Sequence, residues 1–188
     1  MEEGSPFTPG TPVPTEFFVG RTNKKEEIRK FIDRTISGRQ ENIFLSGERG
    51  IGKSSLASFL YQAAKKGLLT VYVSLGGVTV LEEAARRVFE CILKEVNTQE
   101  RISDRISGFF TKYVKQTDLF GISLSFDPPK EDLENILRNF SEAIKNIIDK
   151  IRDDKRGMSI ILDDVNSISG ISCVIRGDIK LGEVRRGT

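Results

Sequence analysis

Residues 47–54 read GERGIGKS, and no other stretch constrains the chain as tightly. Gly47, Gly52, Lys53 and Ser54 stand in the order glycine, four residues, glycine, lysine, serine. A backbone that wraps a phosphate with its own amides has no room for large side chains, and glycine reaches backbone angles closed to other residues. A helix starting at Lys53 points its N-terminal amides and the positive end of its dipole at the bound anion. The lysine reaches the β- and γ-phosphates as a mobile charge, and the Ser54 hydroxyl is placed to ligate Mg²⁺. The alternative is a glycine-rich turn that matches by coincidence, as the pair Gly76-Gly77 does. The apolar run NIFLS (42–46) before the loop and the amphipathic stretch after it favour a nucleotide site. Gly47, Glu48, Arg49, Gly50, Ile51, Gly52, Lys53, Ser54 and Ser55 are therefore the candidate nucleotide-contacting residues.

The rest of the chain supplies the strands and helices such a loop needs. Ile28, Phe31, Ile32 and Ile36 recur at helical spacing from Asn23, and Gly38 ends that helix. Leu56, Phe59, Leu60, Ala63 and Ala64 mark a second helix, from Lys53 to Gly67. LLTVYVSL (68–75) shows little alternation, as a strand buried on both faces does. Helical periods follow over 80–94 and 101–115. LFGISLSF (119–126) alternates like a half-exposed, peripheral strand. DPP then opens a helix over about 130–152 with one long apolar stripe, and MSIILDD (158–164) is a second buried-type strand. Two short β-like runs, ISCVI and IKLGEV, complete the chain. Strands alternating with helices predict an α/β fold with a mainly parallel sheet.

Asp163 and Asp164 end the strand MSIILDD. At the carboxyl end of a strand in a protein with a phosphate loop, a first acid holds the Mg²⁺ shell through water. A second is placed to orient or deprotonate an attacking water. Asp163 is thus the candidate metal-shell residue and Asp164 the candidate catalytic one. Two incidental acids at a solvent-facing strand end are the alternative, and the glycine loop tips the balance against it. Asp153-Asp154 reads as an exposed helix end.

Composition narrows the chemistry further. The 188 residues contain no histidine, which removes histidine bases and histidine metal ligands. Cys91 and Cys173 are too few and too far apart for a disulfide framework or metal cluster, and read as free buried thiols of a reducing cytoplasm. The net charge of +2 argues for neither nucleic acid nor a membrane, and no apolar run approaches the roughly 18 residues of a membrane span. Residues 1–15, with Pro6, Pro9, Pro12 and Pro14, read as a flexible leader.

The combination EFFVGR, LSGERGIGKSSL and IILDDV resembles an AAA+ type ATPase domain. More narrowly, it is similar to the archaeal-type, origin-recognition-like ATPases that overlap with the signal-transduction ATPases with numerous domains. The resemblance covers about 16–166, implies a three-layer P-loop fold, and makes ATP and Mg²⁺ the cofactors. It also places Phe18, Val19, Gly20 and Arg21 near the adenine, with Val19 and Gly20 as binding residues; a hydrophobic staple before the first helix is the alternative. The absence of an N-K-x-D motif favours adenine over guanine.

The family pattern continues past its acidic strand with a helix, a sensor strand, an arginine finger and a helical lid. Here residues 167–188 form an atypical tail, and only VNSISG separates Asp164 from ISCVI (171–175), too short for a parallel crossover. A sheet with a gap, or an unrelated strand filling it, is expected, and a truncation or frameshift near Gly170 would account for the lost pattern. The function read from the sequence is an Mg²⁺-dependent ATP switch with weak or no hydrolysis. Its partners are ATP and either another protein or a second copy of the chain. The competing reading is a non-catalytic fragment or docking module. DNA engagement has little support without a basic recognition helix.

Overall fold

A computed structural model describes residues 20–97, 114–117, 123–126, 128–165, 168 and 178–180. The chain divides into two compact units, residues 1–66 with 173–188, and residues 67–172.

In the first unit, helix α1 (Thr22–Ile36) is followed by strand β1 (Phe44–Ser46), the glycine loop and helix α2 (Lys53–Ala64). The predicted boundaries stand within a few residues. The helices pack together through the faces their periodicity marks, with Ile28 and Ile32 buried on α1 and Leu56, Ala57, Phe59 and Ala64 on α2. Lys25 and Arg29 of α1 both lie 5.6 Å from the Phe59 ring centroid, so the aromatic face is covered by cations as well as carbon. Strand β6 (Asp178–Lys180) pairs parallel with β1, Leu45 opposite Ile179. The neighbour of the loop strand thus comes from the start of the IKLGEV run. The run ISCVI lies outside the described residues.

The second unit is built on strands β2 (Leu69–Ser74) and β5 (Met158–Asp163), which pair parallel from Leu69↔Met158 to Ser74↔Asp163. Backbone bonds from Leu69 N to Gly157 O (2.9 Å) and from Leu75 N to Asp163 O (2.8 Å) extend the ladder at both ends. One face of this pair carries Leu69, Val71 and Val73 beside Met158 and Ile160. Helix α3 (Leu81–Asn97) covers it with Val88, Phe89, Ile92 and Val96, joined by Leu133, Ala143, Ile147 and Ile151. Gly76-Gly77 forms the expected turn between β2 and α3, closed by Val78 N on Leu75 O. Acids in the first turn of α3 (Glu82, Glu83) and Lys94 in its last complement the helix dipole. Cys91 is half-buried on α3, and burial pushes its thiol above the ordinary value, which keeps it protonated and inert at neutral pH. Cys173 lies outside the described residues.

Three expectations need correction. Residues 101–113 are outside the described part, but Val114–Thr117 is a strand, β3, so the helix predicted over 101–115 does not reach its predicted end. β3 pairs antiparallel with β4 (Ser123–Phe126), Val114 opposite Phe126, and that pairing overrides the helical period. β4 forms a two-stranded sheet with β3, apart from the parallel pair, and its last residue lies buried on the apolar side of the predicted alternation. Phe126 is buried with its ring centroid 5.1 Å from that of Phe89, and α3 satisfies its backbone, Arg86 donating to its carbonyl (3.0 Å) and Glu90 accepting from its amide (3.4 Å). The helix predicted over 130–152 is two, α4 (Lys130–Arg138) and α5 (Phe140–Ile151), broken at Asn139. Finally, β5 is less buried than its apolar run predicts. Ile161 is buried, Met158 and Ile160 are partly so, and Leu162 is 44% exposed.

Phe89 is fully enclosed and touches both Phe126 and Phe140, whose ring centroid lies 5.6 Å away. Phe89→Ala is expected to cost about 3–5 kcal/mol, the range for emptying an aromatic site. Urea denaturation of the two proteins checks this as a drop in midpoint at unchanged slope.

Candidate functional site

The glycine loop leaves β1 at Gly47 and enters α2 at Lys53. Gly50 (φ 82°) and Gly52 (φ 88°) lie in the left-handed region, where a side chain would strain the backbone, so the turn that reverses the chain here requires them. Residues 47–50 are exposed, and a weak turn from Ile51 N to Glu48 O (3.4 Å) spans the middle of the loop. Gly52 is the N-cap residue of α2. No side chain caps this end, and no acid stands in the first turn. The orphan amides of that turn and the positive end of the dipole are therefore not neutralised by the helix itself, as an anion site demands.

Lys53 folds back over the loop that precedes it. Its ammonium donates to the carbonyls of Gly47 and Glu48, both at 2.9 Å. An ammonium has three donors, and among the described residues the third has no partner. Ser54, next along α2, is half-buried, and Ser55 is buried.

A second cation reaches the loop from the start of α1. Arg21 occupies a left-handed conformation (φ 51°, ψ 35°) as the N-cap residue of α1, and its carbonyl accepts from Lys25 N at 3.0 Å. A non-glycine residue held there costs of order 1–3 kcal/mol. Its guanidinium donates through Nη2 to the Ile51 carbonyl. Both terminal nitrogens lie 3.9 Å from where a Cβ on Gly52 would be. The Nη1 atom is buried and has no hydrogen-bond partner among the described residues. A buried orphan donor beside a glycine cradle fits an oxygen-rich anion. Gly20, adjacent, also has positive φ, and Val19 lies outside the described residues.

The acids belong to the second unit, at the carboxyl ends of β2 and β5, where parallel sheets hold their ligands. Asp163 is half-buried and held at both oxygens: Tyr72 donates its hydroxyl to Oδ2 at 2.6 Å, and the Asp164 amide donates to Oδ1 at 3.1 Å. Asp164 is exposed and left-handed (φ 59°), a conformation aspartate tolerates better than most residues. Its Oδ2 lies 3.6 Å from where a Cβ on Gly76 would be. Arg87 of α3 donates to the carbonyls of Ser74 (3.2 Å) and Gly76 (3.4 Å), so this strand end also carries positive charge.

Among the described residues no group of three or more histidine, cysteine or acidic side chains is placed to hold a metal ion. A cation that keeps most of its water and takes one hydroxyl, one carboxylate and phosphate oxygens needs no such cage, and Mg²⁺ is that kind of ion. Taken separately, each unit offers a donor of the kind Mg²⁺ accepts, the Ser54 hydroxyl in the first and the Asp163 carboxylate in the second. No described helix is long and apolar enough to cross a membrane.

Sequence reasoning singles out the loop and the acids but misses the contact of Arg21 with the loop and the hydrogen bond from Tyr72 to Asp163. A signal for Tyr72 exists, since Thr70, Tyr72 and Ser74 place three hydroxyls on one side of an otherwise aliphatic strand.

Over 166 residues the chain is 24% identical to an uncharacterized HTH-type transcriptional regulator of Methanocaldococcus jannaschii, a match that takes in 85% of this chain and 39% of that protein. The chain thus spans well under half the length of this relative. No solved structure matches it. The model of the family described as AAA ATPase domain matches residues 18–170, a stretch that runs from the element before α1 to beyond the acid pair. The chain belongs to the AAA ATPase domain family.

Proposed function

We propose that the chain binds ATP with Mg²⁺ and acts as a nucleotide switch whose own turnover is slow or absent. The observation that carries this reading is the loop: a glycine cradle ahead of an uncapped, acid-free helix end, with Lys53 anchored across it. In this reading Gly47 to Ser55 wrap the phosphates, Lys53 meets the β- and γ-phosphates, and Val19 and Gly20 lie by the adenine. Ser54 ligates Mg²⁺, Asp163 holds the Mg²⁺ shell through water, and Asp164 orients the attacking water. Bound Mg²⁺ would neutralise charge on the β- and γ-phosphates.

The fold implied is the three-layer P-loop arrangement of the archaeal-type, origin-recognition-like group, with a cytoplasmic setting and a protein partner or second copy as the listener to the switch. Slow turnover in this reading reflects that no arginine is assigned to the transferring phosphate. An arginine finger is worth about 10³–10⁵ in rate in related phosphoryl transfers. The arginines beyond the acid pair, Arg176, Arg185 and Arg186, fall in the atypical tail and outside the described residues. Support for DNA contact by these residues is slight. The name of the relative belongs to a protein of which the chain matches 39%, and the net charge here is only +2.

Two measurements test the reading. At ATP a hundredfold above its dissociation constant, binding adds about 2.7 kcal/mol to the folded state, which for a chain of this size raises the Tm by roughly 5–10 °C. Lys53→Ala is expected to lose most of that shift. No shift in the native protein, or an equal shift in Lys53→Ala, sinks the ATP-binding assignment. Asp164→Asn keeps a residue that tolerates the left-handed backbone. It is expected to retain the Mg-ATP shift while any phosphate release falls to background. Release at the native rate would remove Asp164 from the catalytic role.

A further inference from the structure

We propose that Tyr72 is a positioning residue, one that fixes the Asp163 carboxylate for water-mediated contact with Mg²⁺. The inference rests on the reading of Asp163 as the Mg²⁺-shell acid and adds the residue that sets its geometry.

The strand register creates the contact. Tyr72 stands opposite Ile161, and Ser74 opposite Asp163, so Tyr72 and Asp163 share one face and lie diagonally across the two parallel strands. Tyr72 has the reach for a diagonal neighbour that a serine or threonine lacks. The O···O distance of 2.6 Å falls in the short range of hydroxyl–carboxylate bonds, roughly twice as strong as bonds between neutral groups. The second oxygen accepts from the Asp164 amide, so the carboxylate plane is fixed from two directions before any ligand arrives.

Two consequences follow for a metal. An ionised carboxylate has about four lone-pair sites, and two are committed here. The remaining two can accept from Mg²⁺-bound waters, but the group cannot turn to present both oxygens to the ion. That arrangement suits the water-mediated contact assigned to Asp163. The side chain is also already ordered, so less rotamer entropy is lost when the metal shell forms. Removing the hydroxyl loosens the carboxylate without altering its charge or the glycine loop.

The test uses the full chain and three proteins: native, Tyr72→Phe and Asp163→Asn. ATP binding is followed by calorimetry, first in EDTA and then across a Mg²⁺ titration, and the unliganded Tm is recorded for each. Tyr72→Phe is expected to raise the half-saturating Mg²⁺ concentration about 3–10-fold, a part of what a hydrogen bond to a charged group contributes. Its affinity for ATP in EDTA is expected to stay at the native value, and its unliganded Tm to fall by no more than a few degrees, as the loss of one half-buried hydrogen bond gives. An unchanged Mg²⁺ half-saturation overturns the proposal, and so does a fall in EDTA affinity equal to the fall in Mg²⁺, which is what a merely structural role gives. A lower Tm in Tyr72→Phe leaves these criteria intact, because Mg²⁺ half-saturation and EDTA affinity are compared within the same folded protein, at a temperature below its transition. Asp163→Asn separates the two levels. Loss of Mg²⁺ dependence in Asp163→Asn with no effect in Tyr72→Phe refutes only the role of Tyr72. Native Mg²⁺ dependence in Asp163→Asn refutes the Mg²⁺ role of Asp163, and the role of Tyr72 with it.

Discussion

The parallel register of β2 on β5 is the constraint on which the second unit depends. Side chains alternate along a strand, so a slip of one residue would turn every apolar group to the opposite face. In the observed register Leu69 and Val71 align with Met158 and Ile160, and with Val73 they meet α3 and the apolar stripe of α4 and α5. The same register puts Tyr72 and Asp163 together on the other face. Burial on one side thus fixes acid geometry on the other. The cost of exposing several large aliphatic side chains, each worth about 1.5–3 kcal/mol when fully buried, is what keeps a 2.6 Å contact in place.

Helix α3 ties the remaining elements to that pair. Its Phe89 fills the space between Phe126 of β4 and Phe140 of α5. Arg86 and Glu90, one turn apart, satisfy the carbonyl and the amide of Phe126. Packing and backbone satisfaction therefore converge on one residue of the hairpin. Arg87, on the neighbouring ridge of the same helix, bonds to Glu83 and to the carbonyls at the end of β2. A single helix supports the core from one side and the strand ends that carry the acids from another.

The loop, the helices flanking it and the acid pair are legible in the sequence because each rests on local chemistry: glycine angles, helical period, two acids after an aliphatic run. The break at Asn139 is not. The apolar stripe runs from Leu133 and Leu137 through Phe140 to Ile144 with no glycine or proline between them. Asn139 interrupts it by turning its backbone to φ −110°, ψ 28° while its amide still reaches the Asn135 carbonyl. Periodicity records which face is buried and is blind to a kink that preserves that face. The strand at 114–117 is hidden for a related reason, since its partner is another segment and the local period is helical. Tyr72 escapes notice because a strand rich in β-branched residues reads as uniformly buried, although Thr70, Tyr72 and Ser74 form a hydroxyl-bearing face within it. The motif around Arg21 points to the adenine side, whereas its guanidinium rests on Ile51 and Gly52 of the loop.

That position of Arg21 bears on how the loop can respond to a ligand. Lys53 and Arg21 both donate to loop carbonyls, Lys53 from within and Arg21 from outside. These bonds hold an exposed, glycine-rich segment in shape and so reduce the ordering entropy that a flexible loop would lose on binding. They also set a threshold. In the proposed reading an anion meets the third donor of Lys53 at once and gains the other two only if the ammonium leaves or shares the Gly47 and Glu48 carbonyls, so a polyphosphate gains more than a singly charged anion. The buried Nη1 of Arg21 works in the opposite sense, since an orphan donor is costly until an acceptor arrives. In the proposed reading, selectivity for polyphosphate at this loop rests on two cations, Lys53 with two of its three donors engaged and Arg21 with one buried donor unpaired.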